Sequence, residues 1–340
     1  MINQVWFVVL AGMLTIYAVL DGFDLGVGVL HLFVARDEEE REAAISAIGP
    51  VWNGNEVWLI AAGGSLVVAF PHVYASAFSG FYLALMLVLW LLVARGLSIE
   101  FRHQVDDPLW RQAWDVTFSL ASILLAVLFG VALGNVLRGV PLDSSGQFVG
   151  SFTVLLNPFS ILAGLLGLAV LSLHGGTYLA MKTDGELQAR ARRVVGRLWW
   201  AVVALVAAMV AGSFPARPDF GGNFLRGPVW FVVPTFGIAC LIALRLFWSA
   251  GADRRAFLAS AGAIAGILGS AAVGLFPRLL ATPAGSRVAS LDIYNAAASP
   301  HSLRVALGIY LVGMGIVAIY LTRIYRVWTG KVGKDDVYKI

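Results

Sequence analysis

The chain has 340 residues, of which 59% are hydrophobic and 13% charged, whereas soluble globular domains carry about 25% charged residues. That balance excludes a soluble globular protein and places the chain in a bilayer. The net charge of +4 is no nucleic-acid signal, because the basic residues sit in short connections between apolar runs, where they set orientation in a membrane.

The first apolar run, 4–34, is too long for a secretory h-region and has neither a basic start nor a small-residue cleavage site, so it reads as a retained first span. It contains DGFDLGVG at 21–28. Asp21 and Asp24 are three apart and share a helix face. Gly22 and Gly26 form a small-xxx-small pair that admits a close neighbour. The second span, 46–70, opens with GPVWNGNEVW, which sets Asn53, Asn55 and Glu56 among the tryptophans Trp52 and Trp58. The third, 73–101, ends at Glu100, and the fourth, 112–138, begins near Asp115. Further spans at 155–181, 197–214, 228–249, 255–276 and 302–328 make nine, by the ruler of about 20 apolar residues per crossing.

Nine spans put the termini on opposite sides. Segments after the odd-numbered spans, with the C-terminal tail, hold eighteen Lys and Arg, among them Arg36, Arg41, Arg95, Arg102, Lys334 and Lys339. The other side holds six: Arg138, Arg217, Arg226, Arg278, Arg287 and Arg304. This threefold bias predicts an outer N-terminus and a cytoplasmic C-terminus. The expected architecture is all-α: one integral-membrane domain over 1–340, built as two four-helix groups plus one helix, with no loop long enough to fold alone.

Ionisable groups at membrane depth are costly, which makes each a functional hypothesis. Ordered from the cytoplasmic edge, Glu100 and Asp115 come first, then Asn53 and Glu56, then Asp21 and Asp24. A ladder of this kind suits proton input, since each step needs a group that takes up and releases H⁺. The competing structural reading pairs Glu100 with Arg102 and Asp115 with Arg111. Of five histidines, His31, His72, His103 and His301 lie at span ends and His174 reads as a buried, hydrogen-bonded core residue. No pair of histidines has metal-ligand spacing. Cys240 reads as a small buried apolar residue without a disulfide partner. The glycines of AAGGSLVVAF (61–70) read as sites of close helix packing.

Five segments, DGFDLGVG (21–28), GPVWNGNEVWLI (49–60), FPHVYASAFSGFY (70–82), LNPFSILAG (156–164) and FPRLL…SLDIYNAAASPHSLRV (276–305), resemble subunit II of the cytochrome bd-type quinol oxidases, including their cyanide-insensitive relatives. The match runs in order from the first span to the last. The resemblance implies nine transmembrane helices, a haem-bearing subunit I as partner, and small single-helix accessory subunits in some complexes. It places two b haems and a d haem, or a third b haem, in that partner, with no haem ligand, catalytic redox centre or metal in this chain. It further implies quinol oxidation outside, O₂ reduction to water with cytoplasmic protons, a quinone as a further ligand, and residence in a bacterial or archaeal cell membrane. Position 53 is commonly an aspartate of a proton channel in this family, and Glu100 matches another of its acidic positions. Asn53 cannot titrate, which shifts that duty to Glu56 or to water held by the amide, with Trp52, Asn55 and Trp58 lining the path. Against this stand a cation-coupled secondary transporter, which internal repeats would favour, and a scaffold whose acids only hold helices together.

Overall fold

A computed structural model describes residues 1–332; Lys334 and Lys339 lie outside the described residues. The chain opens with α1 (Ile2–Val34), about 50 Å long at 1.5 Å per residue and thus longer than a hydrocarbon core of about 30 Å. Asp37 accepts from the Glu40 amide and caps α2 (Glu38–Ile48). The segment 46–70, expected as one span, is two pieces. α2 stops at Gly49, Pro50 offers no amide for a continuing helix, and α3 (Trp52–Ala69) starts afresh. The segment 73–101 is likewise divided at Phe81 into α4 (Pro71–Gly80) and α5 (Tyr82–Phe101).

The remaining long helices begin on recognisable caps. Asp107 accepts from the Leu109 and Trp110 amides ahead of α6 (Pro108–Arg138). A reciprocal Asn157–Ser160 capping box starts α7 (Pro158–Lys182), with Pro158 in the first turn, where its missing amide costs nothing. α8 (Gly185–Ala216) begins twelve residues, a little over three turns, before the expected 197–214. Its added turns carry Arg190, Arg192 and Arg193 and so do not register as a span. α9 (Gly222–Arg226), α10 (Val232–Ser249), α11 (Asp253–Leu275) and α12 (Pro300–Val327) follow. A two-residue-wide antiparallel ribbon, β1 (Arg278–Leu280) with β2 (Leu291–Asp292), ties down the loop before α12.

Among the described residues, eight helices are long and apolar enough to cross a membrane. α3 is not one of them, because Asn53, Asn55 and Glu56 sit among its 18 residues. α1 packs against α3, α6, α7 and α11; α5 joins α6; α7 packs on α8 and α11, and α11 on α10; α12 touches α3 and α1. The α1–α7 crossing rests on glycine against glycine. A Cβ on Gly26 would lie 1.9 Å from the Leu171 carbonyl oxygen, and one on Gly175 would lie 2.2 Å from the Gly26 carbonyl carbon. Gly22 meets side chains rather than backbone, the end of Leu171 and the His174 ring. Gly63 and Gly64, expected to mediate close packing, face open space, and Cys240 is half-buried rather than buried.

Arg41, Arg102, Arg111 and Arg190 of the eighteen-residue set pair with Glu38, Glu40, Glu42 or Asp115 and form a basic end around α2. Arg95 is no loop residue: it lies inside α5 and is fully buried.

Candidate functional site

Where α1, α3, α5 and α12 meet, polar side chains form one connected cluster. Asp21 and Asp24 project from the same face of α1 and are both fully buried. Arg95 donates through Nη2 to Asp21 Oδ1 at 2.6 Å and also to the Glu56 carboxylate of α3. Glu56 is the member that reaches the surface, with a quarter of its side chain exposed. Asn55, fully buried, donates to Asp24 Oδ2 at 2.7 Å and to the Leu20 carbonyl at 3.2 Å. Its Oδ1 accepts from the Tyr325 hydroxyl of α12 at 2.8 Å. The Asn55 amide therefore joins three helices.

Several buried atoms of this cluster have no hydrogen-bond partner within the protein: the Tyr17 hydroxyl, Asp21 Oδ2, Asp24 Oδ1, and Nε and Nη1 of Arg95. The Nε1 atoms of Trp52 and Trp58 are in the same condition. Both tryptophans are buried, Trp58 against Met13 and Tyr17, and Trp52 over Gly96 of α5. An unsatisfied buried polar atom costs about 1–3 kcal/mol, so so many together mark a place built for something other than packing.

A second cluster closes the basic end. His31 and Asp115 are fully buried, and His31 Nε2 donates to Asp115 Oδ1 at 2.7 Å. Arg102 donates to the same carboxylate through Nε at 2.8 Å and to Glu42 and Glu38 at 2.9 Å each. Arg41 approaches Asp115 Oδ2 at 3.4 Å. Burial pushes the Arg102 guanidinium down, but the Asp115 hydrogen bond and the three surrounding carboxylates hold it above its ordinary value. His31 follows Asp24 by two helical turns and so continues the Asp21–Asp24 face of α1, and its Nδ1 is buried and unpartnered.

The expected site residues therefore divide. Asp21, Asp24, Asn55 and Glu56 converge, flanked by Trp52 and Trp58. Asp115 does pair with arginines, but with Arg102 and Arg41; Arg111 binds Asp106 and Glu38 instead. Glu100 is half-buried at the end of α5, five residues from Arg95. Asn53 leaves the cluster altogether. It lies on the exposed stripe of α3 with Val57 and Ile60, the i, i+4, i+7 positions of one helix face. Arg95, His31, Tyr325 and Tyr17 belong to the site without having been expected there. The signal for Arg95 was present, as an arginine within the apolar segment 73–101.

The chain matches the family described as cytochrome bd terminal oxidase subunit II over residues 2–328. It is 33% identical to the cytochrome bd-I ubiquinol oxidase subunit 2 of Escherichia coli (strain K12), over 98% of this chain and 96% of that protein. It is 30% identical to the cytochrome bd ubiquinol oxidase subunit 2 of Bacillus subtilis (strain 168), over 89% of each. Its fold matches a chain in the structure of bd oxidase from Geobacillus thermodenitrificans with a TM-score of 0.80, at 17% identity, covering 96% of this chain and 98% of that one. This protein belongs to the cytochrome bd oxidase subunit II family, and is a member subunit of a terminal oxidase complex.

Proposed function

We propose that the chain is the haem-free half of a bd-type quinol:O₂ oxidoreductase in a bacterial cell membrane, and that it delivers cytoplasmic protons to a haem-bearing subunit I. α3 counts as the ninth crossing, its exposed stripe covered by the partner subunit, and the basic end faces the cytoplasm. The bacterial relatives support the bacterial membrane, and the Lys/Arg distribution supports this orientation.

The observation that carries the proton role is the stoichiometry of the buried cluster. Three carboxyls share the cluster with one guanidinium among the described residues: Asp21 and Glu56 pair with Arg95, and Asp24 joins through Asn55. At membrane depth an excess of two negative charges is costly, so the cluster is neutral only when it holds protons. Entry runs from the His31–Asp115 pair along the shared face of α1 to Asp24, where water completing the unpartnered oxygens and the Tyr325–Asn55 bond links the steps. Exit is at Glu56, whose exposed quarter lies three residues from Asn53.

That exit defines the partner face. A polar amide and a carboxylate exposed at membrane depth do not suit lipid, and Gly63, Gly64, Gly308, Gly313 and Gly315 leave open space on α3 and α12 for another helix to approach closely. Subunit I docks there. The two buried histidines of the helix bundle are committed to the protein. Both ring nitrogens of His174 are engaged, by Ser260 Oγ at 2.6 Å and the Val19 carbonyl at 2.9 Å, and His31 Nε2 is held by Asp115. The haems, two of b type and a d or third b, belong to the partner, which also oxidises the quinol.

The Arg95 bridges favour one further reading, a scaffold in which the same acids only pin helices. Family membership removes the carrier alternative. To test the proton role, the complex is purified through this chain, and haem absorption and quinol-dependent O₂ consumption are measured for the wild type and for Glu56→Gln. The expected result is unchanged haem content with turnover reduced by about tenfold or more. Full turnover in Glu56→Gln supports the scaffold.

A further inference from the structure

At the end of the bundle opposite the basic one, an open cleft of about 610 Å³ lies between the segment following α8 and the loop between α11 and α12. Only six basic residues belong to that side of the chain, and two of them, Arg217 and Arg278, line this one cleft. They share a single facing carboxylate. Arg278 donates to Asp219 Oδ2 at 2.5 Å, while Arg217 Nε lies 3.2 Å from Asp219 Oδ1 in a geometry that makes no hydrogen bond. The other acid in the lining, Asp292, is turned onto the backbone amides of Tyr294 and Asn295.

Arg217 is 4% exposed, and its Nε has no hydrogen-bond partner. Its one protein acceptor is the Leu137 carbonyl, at a long 3.4 Å. Burial pushes this guanidinium below the ordinary arginine range, and the pull of Asp219 does not restore it, because Arg278 adds a like charge beside it. Beyond the Asp219 ion pair and the long Leu137 bond, this buried arginine fork has donors to spare.

The chain next to the cleft also fixes its depth. Leu225, Val229, Trp230 and Phe231 follow within the same connection and are exposed, and aromatic residues of this kind mark the membrane–water interface. The arginines therefore stand at headgroup level, above side chains that suit acyl chains. We propose that this cleft binds a phosphate group between Arg217 and Arg278, as presented by an anionic phospholipid headgroup or by free inorganic phosphate. Planar bidentate donors match phosphate oxygens, and basic pockets at helix ends are the usual means of holding such headgroups.

The test uses the purified oxidase complex, delipidated in detergent, with its melting temperature as readout. It is titrated separately with short-chain phosphatidylglycerol, with inorganic phosphate, and with a short-chain diacylglycerol that lacks phosphate. The wild type is expected to gain stability with phosphatidylglycerol and not with diacylglycerol. Arg278→Gln, at a part-exposed position, and Arg217→Lys, which keeps the charge but loses the fork, are each expected to need about tenfold more phosphatidylglycerol for the same gain. A gain with inorganic phosphate at matching concentrations assigns the site to the free ion, and a gain with the lipid alone assigns it to the headgroup; both sustain the phosphate site. The proposal is overturned if neither phosphate source shifts the wild type, or if both variants respond at wild-type concentrations.

Discussion

Replacing Arg95 with leucine removes the guanidinium that faces both Asp21 and Glu56 and leaves two carboxyls without their cation. Breaking a buried pair in this way costs about 3–5 kcal/mol, so Arg95→Leu is expected to lower the yield and melting temperature of the complex sharply. Arg95→Lys, which restores the charge but not the fork, should recover part of the loss. Asn55→Leu strips the bonds to Leu20, Asp24 and Tyr325 together and is expected to cost about 1–3 kcal/mol, read as a lower melting temperature. The acids of this site were legible as residues, because a carboxylate in an apolar segment stands out. Their partner, Arg95, was visible as a residue but not as a partner. An arginine six residues from a helix end ordinarily snorkels to the interface, and only the fold brings Asp21 to its inner side. The side of α3 that Asn53 occupies was equally hidden: sequence gives depth along a helix, while neighbouring helices decide which face is covered.

Elements of this chain divide into those that composition announces and those that need a neighbour. α1, α6, α7, α10, α11 and α12 fall close to the expected spans, since long apolar runs bounded by Asp107, Asn157 or Ser299 caps are unambiguous. α3 did not register as a span because its polar residues need neighbours: α1 and α12 supply the partners of Asn55, and Arg95 of α5 that of Glu56. Where α1 crosses α7, Gly175→Leu is expected to force the helices apart and abolish assembly of the complex, whereas Gly64→Leu, set in open space within this chain, should leave the isolated subunit folded and weaken its union with subunit I. Co-purification of the two subunits distinguishes the cases. The outer loops carry a pH-sensitive fastening. Burial pushes the Asp219 carboxyl up, but the Arg278 hydrogen bond and the charges of both arginines outweigh it and hold it below the ordinary value of 3.8. A depressed carboxyl contributes stability that is present above its unfolded value and lost as pH falls through the folded one. Amide exchange across 217–226 should therefore be slow at neutral pH and rise only in acid below that ordinary value.

At the scale of the whole molecule, the structure has one end rich in paired charges, an interior acidic cluster, and a face where polar atoms and open glycines meet the surface. These features support the proposed proton route from the cytoplasm to a sister chain. The fold class and the family were readable from five ordered motifs, because each motif carries residues that a lipid-embedded helix would otherwise avoid. The cluster was readable only as a set of depths, because the contacts that join Asp21, Arg95 and Glu56 lie between helices far apart in sequence. The most direct measurement is the membrane potential generated per O₂ reduced in proteoliposomes that hold the complete complex, comparing the wild type with Asp24→Asn and Glu56→Gln at equal haem content. The account predicts that both variants lose most of the potential and of the proton uptake from the cytoplasmic side. Wild-type potential and uptake in both variants would contradict it.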